Sequence, residues 1–133
     1  MIKTKLFLIR KKARVEEYFE KNGNPKTKAI IGISGGKDSS VVAALCCAAL
    51  GKERVIGVMM PNSVQSDIKD SIKLCNFLGI KNYTVNIGSA YEALSSEIKT
   101  VTKTENTTPQ FNTNTPSRLR MATLYGIAAL DGN

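Results

Sequence analysis

Residues 30–39 read Ile-Ile-Gly-Ile-Ser-Gly-Gly-Lys-Asp-Ser, an apolar run that breaks into a glycine-rich loop and continues as a helix-prone stretch. A strand, a loop of this kind and a helix in that order make a phosphate site. The consecutive glycines Gly35 and Gly36 let backbone N–H groups approach an anion with no Cβ in the way. A helix beginning near Ser39 points the positive end of its dipole at the same spot. Ser34 and Ser39 add hydroxyl donors, and Asp38 is a hard oxygen ligand suited to the Mg²⁺ that accompanies a nucleoside triphosphate. A bare strand-to-helix turn needs neither the second glycine nor the flanking Ser and Asp.

Two commoner phosphate loops do not fit. A Walker A loop needs a Gly separated by four residues from a Gly-Lys-Ser/Thr triplet, whereas Ile31 holds the first position and Asp38 follows Lys37. The dinucleotide fingerprint Gly-x-Gly-x-x-Gly fails as well, because two residues separate Gly32 from Gly35.

Outward from the loop, strands and helices alternate. A helix is predicted over 6–19 from the spacing of Leu6, Ile9, Ala13, Val15 and Phe19, ended by Asn22-Gly23-Asn24-Pro25. Strand one covers 29–33. The next helix, 39–50, is apolar on almost every side and should be buried on more than one face; Gly51 stops it. The run 55–60, broken only by Gly57, reads as a strand covered on both faces. After a loop at 61–66 come a helix over 67–77, a third strand over 83–87 and an amphipathic helix over 90–101. From 102 to 115 the chain is rich in Thr and Asn and reads as a long ordering loop, with Thr115 capping a last helix that carries Pro116 at its first turn and runs to about residue 130. The class is α/β: a doubly wound parallel sheet with right-handed crossovers and helices on both faces, whose ligands gather beyond the carboxyl ends of the strands. The chain divides into a leading helix and tail, 1–28, and an α/β core, 29–133.

Composition narrows the chemistry. With no His in 133 residues, Ser-His-Asp triads, Cys-His pairs and histidine zinc sites are excluded. Cys46, Cys47 and Cys75 lack Cys-x-x-Cys spacing and read as small buried hydrophobes in a reducing compartment, so the cytoplasm is the default location. No apolar run is long enough to span a bilayer, and no secretory signal is evident. The net charge of +8 calls for an anionic partner. Much of the excess lies in Lys3, Lys5, Arg10, Lys11, Lys12 and Arg14, which read as a solvated helix face: no aromatics are interleaved for base stacking, so nucleic acid is not the expected partner.

Ser34-Gly35-Gly36-Lys37-Asp38-Ser39 resembles the pyrophosphate loop of the ATP pyrophosphatases, the adenine nucleotide alpha hydrolase-like group that includes NAD synthetase, GMP synthetase, asparagine synthetase and several tRNA-modifying enzymes. Two further segments resemble NAD synthetases in particular. Met60-Pro61-Asn62-Ser63-Val64-Gln65-Ser66-Asp67 followed by Asp70 is similar to that family's Pro-x-x-x-Gln-x-Asp-x-x-Asp stretch, and Asn114-Thr115-Pro116-Ser117-Arg118-Leu119-Arg120-Met121 to its Asn-x-x-x-Arg-x-Arg-Met helix. The resemblance runs from about residue 14 almost to the end and identifies the chain as the N-terminal half of an ammonia-dependent NAD synthetase.

The resemblance implies activation of deamido-NAD by ATP to an acyl adenylate, release of pyrophosphate and attack of ammonia. It implies ATP contacts at Gly32, Ile33, Ser34, Gly35, Gly36, Lys37, Asp38, Ser39 and Gln65, Mg²⁺ on Asp38, deamido-NAD on Arg118, and a homodimer with the dinucleotide site near the subunit boundary. No side chain is singled out as a certain catalytic acid, base or nucleophile. Arg118 and Arg120 have a lesser alternative as a surface helix with ion pairs, and Lys37 reads equally as a phosphate contact or a solvated lysine. Met59 stands where the family often has Arg. The family's next strand, its Thr-Gly-x-x-x-Glu segment and its C-terminal lysines fall beyond Asn133, so weak nucleotide binding and little or no catalysis are expected of this chain alone. With 28 residues ahead of the first strand, a fused glutaminase domain is not expected, and free ammonia or a partner subunit supplies the nitrogen. The alternatives are another ATP pyrophosphatase, GMP synthetase-like or tRNA-modifying, and an inactive nucleotide-binding fragment.

Overall fold

The computed structural model of the chain describes residues 2–63 and 68–132. Strands β1 (Ala29–Gly32), β2 (Val55–Met59) and β3 (Lys81–Thr84) form one parallel sheet in the order β1-β2-β3. Around it lie α1 (Ile2–Asn22), α2 (Lys37–Leu50), α3 (Ile68–Leu78), α4 (Gly88–Thr102) and α5 (Pro109–Asp131).

The apolar run 55–60 explains the layering. Successive side chains of a strand point to opposite faces, so a run with no polar residue must be covered twice. Every residue of β2 is buried. Val55 and Met59 join Ala29, Ile33, Ala43, Cys46, Cys75 and Ile80 in one core, closed by Val15 and Phe19 of α1, Cys47 and Leu50 of α2, and Ile68, Leu74 and Leu78 of α3. Ile56, Val58, Met60 and Ile87 form the core of the other face beneath Leu119, Leu124 and Ile127 of α5. The parallel sheet with helices on both faces is thus as the sequence predicts. Gly57 permits the close approach of α3, since a Cβ there would lie 2.8 Å from Cys75 Sγ.

Several element readings change; the helix predicted over 6–19 is longer at both ends, Ile2–Asn22. The predicted third strand at 83–87 begins and ends earlier, at Lys81 and Thr84; beyond it Val85 and Ile87 still donate N–H to Met59 and Pro61 O, so the chain follows the end of β2 without a regular ladder. The 14-residue loop predicted over 102–115 is mostly helix: Thr108, not Thr115, is the N-cap of α5, its Oγ1 accepting from Phe111 N at 3.1 Å, with Pro109 in the first turn and Pro116 buried inside the helix. Two Thr-x-Pro or Thr-Pro signals compete here, and the earlier one prevails because Phe111 packs on Tyr91 while Tyr91 OH and Thr107 Oγ1 both reach Asn112 Oδ1. Helix α2 starts two residues before Ser39, at Lys37. It is also less enclosed than its composition suggests: Ala43 and Cys46 are buried, but Val41 and Val42 remain 53% and 48% exposed, because the sheet and α1 cover two of its faces and nothing described covers the third.

The cysteines behave as predicted from their apolar neighbours. Cys46 and Cys75 are buried, Cys47 half-buried, and all three are free thiols. Burial pushes each thiol above its ordinary value, away from the reactive thiolate.

Candidate functional site

The site lies at the carboxyl ends of β1 and β2. Ile33 N–H extends the ladder by donating to Val58 O at 2.8 Å, which fixes the direction in which the chain leaves the sheet. The turn then requires φ = +84° at Gly35, a conformation that L side chains rarely adopt. Gly36, extended at φ −82° and ψ 164°, is the N-cap of α2.

A helix start leaves its first amides without intrahelical partners. Here the amides of Gly35, Lys37, Asp38 and Ser39 have no hydrogen-bond partner among the described residues, whereas Ser40 N donates to Gly36 O at 3.3 Å. The serines bind one another instead. Ser34 Oγ and Ser39 Oγ lie 3.1 Å apart, Ser34 N donates to Ser39 Oγ at 3.2 Å, and Gly36 N donates to Ser34 Oγ at 3.3 Å. Ser39 Oγ and Ser40 Oγ both donate to Gly36 O. Two loop amides are therefore occupied by long bonds to serine hydroxyls, and four are left without a described partner at or just before the positive end of α2. Residues 34–38 are exposed, so the array is open to solvent.

Of the residues singled out in the sequence, 32–39 come together in this loop. Asp38 sits exposed in the first turn of α2, and Lys37 is exposed beside it. Gln65 lies outside the described residues, as does Asp67 at the start of the predicted third helix. Arg118 is exposed on α5 and does not line the cleft beside the loop.

That cleft, of about 350 Å³, is lined by Gly32, Ile33, Ser34, Met60 and Arg120. Gly32 leaves room for Met60, whose Cε would meet a Cβ there at 3.0 Å. Arg120 crosses from α5 to the end of β2, its Nε donating to Met60 O at 3.0 Å. Residues two apart on a helix face opposite sides, so with Arg118 exposed Arg120 turns toward the sheet, a choice between the two arginines that the sequence does not make. Ser63, in the chain leaving β2, is held by a residue that the motifs do not mark. Asn86 Oδ1 accepts from Ser63 N at 3.0 Å and Gly88 N at 2.8 Å, and its Nδ2 donates to Ser63 O at 3.0 Å. This holds Ser63 at φ = +68°, and Gly88 must lack a side chain because a Cβ would overlap Ser63 Oγ.

A sequence profile of the NAD synthase family matches residues 8–132. The chain belongs to that family. An NH3-dependent NAD(+) synthetase of Thermococcus sibiricus is 39% identical over 103 residues, which are 74% of this chain and 37% of that protein. Among solved structures, NH3-dependent NAD synthetase from Campylobacter jejuni, crystallised with nitrate, superposes with a TM-score of 0.82 at 28% identity, over 97% of this chain and 53% of that one. Glutamine-dependent NAD+ synthetase from Acinetobacter baumannii, solved with ADP, gives a TM-score of 0.79 at 27% identity over 90% of this chain and 22% of that one. The chain therefore spans roughly half or less of the length of these NAD synthase relatives.

Proposed function

We propose that residues 1–133 are the N-terminal part of a nucleotide-binding domain, leading helix 1–28 and α/β core 29–133, of a ligase that makes NAD from deamido-NAD, ATP and ammonia. The observation that carries this reading is the open amide array at the start of α2, behind a positive-φ glycine, in a chain of the NAD synthase family. A triphosphate and a substrate carboxylate repel each other, so a site that joins them must neutralise charge on the departing pyrophosphate while holding the reactants in line. The free amides at Gly35, Lys37, Asp38 and Ser39 and the Ser34 and Ser39 hydroxyls supply that neutralisation, with Gly32, Ile33 and Gly36 shaping the approach.

Asp38 suits Mg²⁺. Mg²⁺ binds through one or two carboxylates plus substrate phosphates, which matches a single exposed carboxylate beside a phosphate loop. When bound, the ion supplies charge neutralisation on the phosphates. The ADP in the Acinetobacter relative supports an adenine nucleotide as ligand here. Lys37 and Gln65 are assigned to ATP, and Arg118, exposed on α5, to deamido-NAD.

A homodimer accords with the apolar groove that α1 and α2 leave open, lined by Leu8, Ile9, Val41, Ala44, Leu45 and Ala48. The cytoplasm is the proposed compartment, in keeping with three free thiols. No helix among the described residues is long and apolar enough to cross a membrane.

The test is titration of this chain with ATP and Mg²⁺. Saturating nucleotide is expected to raise Tm and to slow hydrogen exchange at the amides of residues 35–39. A chain whose Tm and loop exchange ignore ATP ends the reading.

A further inference from the structure

We propose that Arg120 is the residue that binds the α-phosphate of the nucleotide, an inference that rests on the ATP reading of the adjacent loop. Arg120 is half-buried, and among the described residues no carboxylate pairs with it. One donor is fixed: Nε bonds Met60 O at 3.0 Å. That bond anchors the fork on rigid backbone at the end of β2 and leaves the two Nη nitrogens without a described partner. A partly desolvated, unpaired guanidinium draws in an anion, and its fork suits two phosphate oxygens at once.

Position says which phosphate. The free amides that receive pyrophosphate run from Gly35 to Ser39, toward α2, whereas Arg120 lines the cleft on the upstream side with Gly32, Ile33, Ser34 and Met60. A nucleotide whose β- and γ-phosphates occupy the amide array extends its α-phosphate and nucleoside into that cleft. The α-phosphorus is also the reacting atom. The substrate carboxylate oxygen forms a bond to it, the bond from it to the bridging oxygen breaks, and that electron pair leaves with pyrophosphate. An arginine at this point holds the phosphoryl group both before and after the transfer, so it binds AMP as well as ATP.

The experiment is calorimetric titration of ATP, AMP and pyrophosphate, each with Mg²⁺, into the wild-type chain, Arg120→Gln and Arg120→Lys, with Tm recorded for each unliganded protein. Arg120→Gln is expected to weaken ATP and AMP about tenfold or more and pyrophosphate less than about twofold, and Arg120→Lys to recover part of the loss. Equal loss for all three ligands overturns the inference and makes Arg120 a tie between α5 and β2. No loss for any ligand removes it from the site. Should the Gln variant not fold, the Lys variant carries the same comparison: loss confined to ATP and AMP supports the inference, and uniform loss or none overturns it. A wild-type chain that binds neither ATP nor pyrophosphate fails the loop reading itself, and the Arg120 assignment with it.

Discussion

Gly35 and Asp38 sit three residues apart in the loop and serve different ends. At φ = +84° Gly35 sets the direction of the turn, so Gly35→Ala forces a strained backbone costing about 1–2 kcal/mol. The measurable outcome is a lower Tm together with loss of ATP binding. Asp38→Asn leaves the loop's hydrogen bonds in place, since none of those described uses its carboxylate. Its unliganded stability should fall by no more than the helix-dipole contribution of one acidic residue, about 0.3–1 kcal/mol. What it should lose is the Mg²⁺-dependent part of ATP affinity, read by titration with and without the metal. Arg118, exposed on α5, was recognisable only through its motif, whereas Arg120 differs from it by one contact, the bond to Met60 O.

At the scale of elements, α5 decides most. It covers one face of the sheet, and its N-terminus is fixed by a cap and by contacts to α4. Thr108→Ala removes the bond to Phe111 N and is expected to cost about 1 kcal/mol, read by chemical denaturation. Thr115→Ala, the change that would matter if the helix began where local sequence suggests, should cost less. Pro116 lies within α5 and has no N–H for Asn112 O, the usual i−4 acceptor. Local rules therefore favour a helix beginning there, and the Tyr91–Phe111 contact together with the Asn112 hydrogen bonds override them. The periodicity of α3 and α4, by contrast, placed both helices to within a residue or two, because each presents one apolar stripe to the rest of the fold.

Across the whole molecule, Asp131 joins parts that are far apart in sequence. Its carboxylate accepts from Lys28 Nζ at 3.0 Å, Lys81 Nζ at 2.7 Å and Tyr83 OH at 2.6 Å, tying the end of α5 to the approach to β1 and to β3. Lys28 N–H also donates to Gly132 O. The hydrogen bond from Lys81, then those from Tyr83 and Lys28, hold the Asp131 carboxyl well below the usual carboxylate range, and the bond to Asp131 pushes Lys81 up. A lowered carboxylate pKa contributes stability that is complete above the unfolded value of about 4 and is lost as pH falls through the folded value. A raised lysine pKa contributes stability that is complete below about 10 and is lost as pH rises. Between those limits the cluster is fully formed. Asp131→Asn should therefore lower Tm at neutral pH and flatten the fall of Tm on acidification; a parallel acid profile in the variant would remove the cluster from the stability account.

The chain's own order of residues determined the glycine-rich strand-to-helix loop, the parallel α/β class and the two-sided burial of β2, because each is a local pattern: a Gly pair between strand and helix, alternation of elements, an unbroken apolar run. Tertiary structure alone decided where α5 begins, that α2 keeps an open apolar face, that Arg120 and not Arg118 borders the cleft, and that Asn86 and Asp131 bind distant segments. These depend on what packs against what. A propensity or motif describes a few consecutive residues, whereas a cap, a cleft wall or an ion cluster exists only when residues dozens of positions apart meet.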